Sequence, residues 1–595
     1  MKIINLDSND LKLIKRAVRY TRPYALKFVL TFLCILSGIG FGLFQPIIWG
    51  SLLKDVLSKN ITGIFSNLII TAFLYLFQLL VGFLQSYLFS FLSENIVFDL
   101  KQDLYKKTLD LPVKAFDDMR AGDFVSRIHG DAATIANVLT NQMLNVIVDI
   151  LRAISIWVAA FAINKTMACI LLATAPITYL IFVKYGKRIR KENKDIAALY
   201  DNYFSNISES ILSIREIKSL GVKKLRINQF RSLAGSLKKK SIKIITLNMI
   251  SQVFSQGINY LCQIIILGIG GYFTYTGALQ FQYYIAFSSY SNQFSSSLMN
   301  ITKLNSNIQQ VMTSLERVFS LMDNLAYSSE NFGDKKIERI DGFIEFKNVS
   351  FEYKANSPVL RDISLIIPKN KITAIVGLSG SGKTTIFNLL LKFYAPTSGN
   401  IYIDNIEINE FAEESLQSNI GIVRQDPFLF NLSIKDNLLL ANQSATDLDL
   451  KRACESAFIH EYIESLPEKY DSKIGENGIN LSGGQAQRIA IARTILKSAK
   501  IILFDEATSS LDNESQTCIK KAIDNLSKDH TIVIIAHRLS TIIEADEIIV
   551  VENGFISGKG KHEELILSNC MYKRLYEKEL DMIKSKLFAV EKEVV

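Results

Sequence analysis

Lys371-Ile-Thr-Ala-Ile-Val-Gly-Leu-Ser-Gly-Ser-Gly-Lys-Thr384 decides how the second half of this chain folds. Its first six residues form the short apolar run of a buried parallel strand. The next eight fit G-x-x-x-x-G-K-[ST]. The residues after them (Ile386, Leu389, Leu390, Phe393) recur at helical spacing. Strand, glycine loop and helix start, in that order, make a cradle for phosphate. Gly377, Gly380 and Gly382 let the backbone, with Ser379, Ser381 and Thr385, wrap phosphate oxygens at the positive end of the helix. Lys383 brings charge to β and γ phosphates, and the Thr384 hydroxyl suits Mg²⁺.

The surrounding residues extend this α/β reading. Gly342–Tyr353 alternates in strand fashion, and the runs 501–504 and 531–536 are short and apolar, like 371–376. The run ending in Asp505-Glu506 places one carboxylate to help hold Mg²⁺ and frees the next to polarise an attacking water. The pattern assigns 342–580 to a nucleotide-binding domain, 324–341 to a polar linker and 581–595 to a charged tail.

Between the phosphate loop and Asp505 stands Leu481-Ser-Gly-Gly-Gln485. With that segment flanked by Gly377–Thr384 and Asp505–Glu506, the domain resembles the ATP-binding cassette (ABC) family over its whole length. The resemblance implies roles for further residues. Tyr353 stacks on adenine, Gln425 reports the γ-phosphate and metal, Asp512 of Ser510-Leu-Asp512 belongs to the D-loop, and His537 contacts the γ-phosphate. Gly475-Glu-Asn-Gly478 resembles the loop that precedes the signature in exporters. The resemblance also implies that Ser482, Gly483, Gly484 and Gln485 grip a nucleotide held by another subunit, either a second copy or a related half-transporter. Glu506, His537 and Gln425 are then the catalytic set, Thr384, Gln425 and Asp505 the metal set, and ATP with Mg²⁺ the ligands.

Upstream, the chain changes character. Six apolar stretches, approximately 26–48, 67–92, 140–163, 165–186, 244–275 and 283–304, are long enough to cross a bilayer, so 1–323 reads as a six-span helical membrane domain. The sixth is rich in hydroxyls and amides, which must face other helices or a water-filled cavity. Asp149 and Arg152 stand one turn apart in the third and are spaced to pair. Loops after the second and fourth spans are long and basic, which puts both termini and the nucleotide domain in the cytoplasm. The N-terminus shows no cleavable signal peptide, and about 25 residues before the first span leave no room for a peptidase domain. This half resembles the exporter branch of the family, with short coupling helices expected around 115–122 and near 200–208.

Bulk composition agrees. An apolar share of 49% beside 21% charged residues suits a membrane region joined to a soluble one. The net charge of +9 collects in loops and carries no nucleic-acid reading module, so no nucleic-acid partner is expected. Six scattered cysteines form no metal or disulfide framework, and His129, His460, His530 and His562 read as surface residues. Candidate cavity residues are Gln252, Ser255, Gln256, Asn259, Gln263, Tyr290, Asn292, Gln293 and Ser296. They are uncharged, and so suit a bulky amphipathic or polar-neutral small molecule, peptide or lipid, unless they bind helix to helix. An ATP-gated channel or regulatory membrane ATPase would share the architecture. Intact Glu506 and His537 weigh against it.

Overall fold

The computed structural model describes residues 8–119, 121–323, 332–475, 478–506, 513–536, 542–578 and 580–581. The chain divides into two compact units, one of Met1–Leu111 with Met119–Ala326, the other of Pro112–Asp118 with Tyr327–Val595.

In the first unit, six long helices cover Ala25–Leu57, Ile61–Leu109, Ala121–Ile163, Lys165–Leu212, Lys223–Tyr275 and Phe281–Met322. Asn60 and Asn164 cap two of them, accepting from the N–H groups of Gly63 and Met167 at 3.2 and 3.1 Å. The second runs 49 residues, about 73 Å, whereas the hydrocarbon needs only about 30 Å, so a long polar extension follows its apolar part. Leu79 and Phe83 on that apolar part are 73% and 74% exposed. Burying either would gain about 1.5–3 kcal/mol, which only lipid can supply on an outward face.

Five of these helices are long and apolar enough to cross a membrane. The sixth is long enough but too polar, and its neighbours explain why. It packs against the first, third, fourth and fifth helices and buries Phe287, Tyr290 and Phe294 among them. A helix enclosed by protein needs no apolar coat. Asp149 and Arg152 do pair, at 3.7 Å, with the carboxylate buried. Beyond the spans, Lys240 bonds Glu192 and Asp195 at 2.8 and 2.9 Å, and Lys243 bonds Glu192 at 2.5 Å, bracing the fourth helix against the fifth. The hydrogen bonds from Lys240 and Lys243 hold the Glu192 carboxyl down at about 2.

The short helices differ from expectation. The first is Val113–Asp118, not 115–122; it starts just behind Pro112, which pre-sets the turn. The stretch 200–208 lies inside Lys165–Leu212, and the short helix is Ile214–Ser219. The break falls at Ser213, whose hydroxyl bonds back to Glu209 O at 2.6 Å. The chain then turns at Gly221, whose φ is +66°.

The second unit holds two sheets. Strands β1 (Ile344–Lys354), β2 (Ser357–Ile367), β4 (Ser398–Ile403) and β5 (Ile406–Glu407) form an antiparallel sheet in the order β2-β1-β4-β5. Strands β3 (Ile372–Val376), β6 (Ile420–Val423), β7 (Ile501–Asp505), β8 (Thr531–Ile535), β9 (Glu547–Glu552) and β10 (Phe555–Gly560) form the other, ordered β10-β9-β3-β8-β7-β6. All neighbours in it are parallel except β9 and β10. Alternate residues of β3, β7, β8 and β9 face opposite cores. Ile375, Leu503, Val533 and Ile549 meet the antiparallel sheet, and Ala374, Phe504, Ile534 and Ile548 meet the helices. Burial on both faces is why these strands read as unbroken apolar runs.

Part of the expected linker already belongs to this unit. Gly333 N donates to Phe411 O, Ala412 N to Lys335 O and Ile337 N to Ser415 Oγ. Residues 324–331 lie outside the described set. Three histidines expected at the surface are half-buried and bonded instead: His460 to Tyr470 and His562 to Tyr572 at 2.9 and 2.7 Å, and His530 to Leu526 O at 2.9 Å. Each sits where a neighbour supplies a partner that sequence spacing does not reveal.

Candidate nucleotide site

Parallel pairing of β3, β8, β7 and β6 turns their C-terminal ends to one edge of the sheet, the edge where open α/β sheets bind ligands. From β3 comes the loop 377–382. Gly380 and Gly382 have φ of +80° and +106°, in the left-handed region glycine favours. A Cβ on Gly377 would sit 2.1 Å from Val551 O, so the loop runs too close to β9 for any side chain there. The helix Lys383–Leu390 then starts behind Gly382 with no side chain capping it. Its first N–H groups have no partner within the helix and carry the positive dipole end, an anion seat. Ser381 Oγ, buried in the loop, has no hydrogen-bond partner. Cradle, uncapped helix start and orphaned hydroxyl together fit a phosphate chain.

Lys383 is buried at the loop mouth, donating from Nζ to the carbonyls of Gly377 and Leu378, both at 2.9 Å. Burial pulls its ammonium below the usual lysine range, while the nearby carboxylates of Glu506 and Asp505 pull it back up. Loop, lysine and both acids therefore meet electrostatically. Thr384 is exposed beside them. Glu506 has φ of +50°, a strained conformation for a residue with a Cβ, and its N–H donates to Ile535 O at 2.9 Å.

Thr384 in the first turn of the helix Lys383–Leu390, Gln425 just past β6 and Asp505 at the end of β7 all offer oxygen donors. That donor chemistry fits Mg²⁺, which binds one or two protein groups together with phosphates. Among the described residues, no cluster of three or more His, Cys, Asp or Glu side chains is placed to hold a metal ion. His537 and Asp512 lie outside the described residues, as do Glu476 and Asn477 between Gly475 and Gly478.

Tyr353 packs against the phosphate-loop helix. Its hydroxyl lies 3.3 Å from Thr385 Oγ1 and accepts from Asn388 Nδ2 at 3.1 Å, both on the phosphate-loop helix. Its ring meets Phe351 and Tyr394 edge to face, with centroids 4.8 and 5.0 Å apart.

The segment 481–485 starts the helix Gly483–Leu496. Ser482 Oγ accepts from Gln485 N at 3.3 Å, and Gln485 Oε1 accepts from Ser482 N at 2.8 Å, a reciprocal cap. Ser482 and Gly483 are exposed. Among the described residues, no hydrogen bond joins 481–485 to the loop 377–385. The two motifs are brought into one unit but not into one pocket.

Sequence reading missed the residues that hold the Gln425 loop. Asn437 is fully buried, accepting from Phe430 N at 2.9 Å and donating to Phe430 O at 2.9 Å and Ser433 O at 3.0 Å. Arg493 donates to Asn437 Oδ1 at 3.0 Å and Phe428 O at 3.3 Å, and Gln487 Nε2 donates to Gln425 O at 2.9 Å. The available signal was a lone arginine within the apolar run Ile489–Leu496.

The cavity candidates divide. Asn292 Oδ1 accepts from Asn259 Nδ2 at 3.2 Å and from Gln263 Nε2, and Ser295 donates to Asn259 Oδ1 at 2.7 Å. Tyr290 is buried and donates to Leu43 O at 2.6 Å. These residues bind helix to helix. Gln252 and Gln256 remain exposed.

Comparison with known proteins agrees with both units. Residues 28–298 match the family described as ABC transporter transmembrane region, and 360–509 match ABC transporter. The YgaD protein of Bacillus subtilis, named as a candidate multidrug export ATP-binding/permease protein, is 30% identical over 572 residues, 95% of this chain and 98% of its own length. A Staphylococcus aureus protein of the same description is 31% identical over 573 residues, 95% of this chain and 99% of its own.

Proposed function

We propose that this chain, which belongs to the ABC transporter family, is half of an exporter whose two ATP sites are each completed by the other subunit. It is a multi-pass membrane protein with an ABC ATPase domain, and the half-transporter architecture implies dimerisation. The observation that carries the two-subunit reading is the exposed start of the helix Gly483–Leu496. Its N–H groups point positive charge outward, and no hydrogen bond among the described residues ties it to its own phosphate loop. A terminal phosphate presented by a second subunit suits that surface. The partner we favour is a second copy, because this chain carries both half-sites.

Mixed dimers test it. Lys383→Ala in one subunit and Ser482→Arg in the other leave one composite site intact. ATPase activity should return to about half the wild-type value, one site of two, although each homodimer of a single variant is inactive. Inactive mixed dimers would mean that each chain closes its own site.

In the cycle we infer, Lys383 and the loop N–H groups hold the β and γ phosphates. Thr384, Gln425 and Asp505 would hold Mg²⁺, which neutralises phosphate charge when bound. Glu506 orients and polarises the attacking water, with His537 against the γ-phosphate and Asp512 near the partner's site. Gripping phosphate from both sides favours closed cassettes over open ones, and only such a difference in affinity shifts the membrane half between inward- and outward-facing forms. Basic residues at 187–191 and 238–240, on helical extensions beyond the spans, support a cytoplasmic ATPase domain in a cytoplasmic-membrane protein.

The relatives' names support a drug-like substrate for this chain, bulky and amphipathic or polar-neutral. Because Asn259, Gln263, Asn292 and Tyr290 are committed to other helices, Gln252 and Gln256 are the better contact candidates. Replacing both with leucine should change which compounds stimulate ATPase in vesicles while basal activity holds. An unaltered compound profile would remove them from the pathway.

A further inference from the structure

The helix Val113–Asp118 lies between stretches of the membrane unit in sequence, yet it belongs to the compact unit that holds the nucleotide site. Ala115 is its fully buried anchor. The Tyr394 hydroxyl donates a hydrogen bond to Asp117 Oδ2 on this helix. Tyr394 follows the phosphate-loop helix, which ends in a tight turn. Lys392 there takes φ of +57°, and Phe393 N donates to Asn388 O at 3.0 Å.

Tyr394 has a second set of neighbours. Its ring packs edge to face on Tyr353, with centroids 5.0 Å apart at 84°, and on Phe351 at 5.6 Å and 68°. Tyr353 is in turn fixed to the phosphate-loop helix through Thr385 and Asn388. A continuous path of contacts therefore runs from that helix, through Tyr353 and Tyr394, to a helix that continues into the membrane unit at both ends. Burial, and then the bond to Asp117, push the Tyr394 hydroxyl well above the usual tyrosine range, so it stays a proton donor.

We propose that Tyr394 is a positioning residue that carries occupancy of the base site at Tyr353 to the helix Val113–Asp118 through its hydrogen bond to Asp117. This rests on the reading of Tyr353 as the aromatic that stacks on adenine. A base laid on Tyr353 restricts that ring. Close-packed aromatic neighbours shift together rather than singly, so Tyr394 is restricted with it. The hydroxyl then holds Asp117, and with it the short helix, in one arrangement.

Hydrogen exchange over 112–118 in the full-length dimer, with and without the non-hydrolysed analogue AMP-PNP, tests this. In the wild-type chain AMP-PNP should slow exchange about fivefold, the worth of one ordinary hydrogen bond. Tyr394→Phe keeps the ring and loses the hydroxyl, and the slowing should disappear while AMP-PNP affinity changes by less than about twofold. Asp117→Ala, at an exposed position, should do the same, and the double variant no more. A bond with a merely structural role would raise exchange equally in both states and leave the ratio intact, which overturns the proposal. So does a wild-type chain that shows no slowing. Tyr353→Ala separates the two readings. Unchanged AMP-PNP affinity removes the base platform and the relay with it, whereas weakened affinity with slowing intact in Tyr394→Phe overturns the relay alone.

Discussion

Phe504 and Phe83 are the same side chain in two regions of one molecule. Phe504 lies in β7 with no exposed surface, packed between strand and helices; Phe83 stands on the second long helix 74% exposed. In the nucleotide unit, water is the solvent and apolar groups gain by leaving it. In the membrane unit, lipid is the solvent, and the enclosed sixth helix carries the hydroxyls and amides. Burial therefore measures opposite things in the two halves. A polar residue is informative when it is taken out of water in the nucleotide unit, as buried Asn437 and half-buried Arg493 are, and ordinary when it faces other helices in the membrane unit.

Chemistry separates the regions most sharply. Glu506→Gln should lower ATPase activity about 10²- to 10⁴-fold with little change in thermal stability, read by phosphate release and a melting curve. A rate near wild type would remove Glu506 as the polarising group. Next in size is the packing contrast. Phe504→Ala should cost about 3–5 kcal/mol of cassette stability, whereas Phe83→Ala in a bilayer should cost less than about 0.5 kcal/mol. Similar losses at both positions in chemical denaturation would break the comparison.

A smaller effect tests the buried polar support. Asn437→Ala removes the partner of the Phe430 backbone and of Arg493, at about 1–3 kcal/mol, and should loosen the Gln425 loop in hydrogen exchange. Smallest is the brace beyond the spans. The Glu192 carboxyl is lowered from its usual 4.5 to about 2, so its contribution is complete above 4.5 and is lost only as pH falls through about 2. Exchange over 187–195 should stay flat from neutral pH to about 5 after correction for intrinsic rates, and Glu192→Gln should remove the protection there. Protection already lost near pH 6 would contradict that sign.

Much of this was legible in the residues. Gly377–Thr384 named its own strand, loop and helix, because glycines at those spacings serve backbone approach and little else. Apolar runs marked the spans, and the polar sixth run left open whether its hydroxyls and amides face other helices or a water-filled cavity. Three-dimensional contact governed the remainder. The hydrogen bond that fixes Glu506, the Asn437–Arg493 support and the helix–helix amide cluster all depend on partners far away in the chain.

Sequence alone determined that six long helices precede a phosphate-binding α/β domain, since hydropathy, periodicity and glycine spacing are local properties. Tertiary structure decided which polar groups are spent on packing and which remain for ligand. It also moved residues 112–118 out of the membrane unit and into the nucleotide unit. Only folding brings Tyr394 to Asp117, 277 residues apart, and no local pattern encodes a contact whose energy depends on both ends being placed.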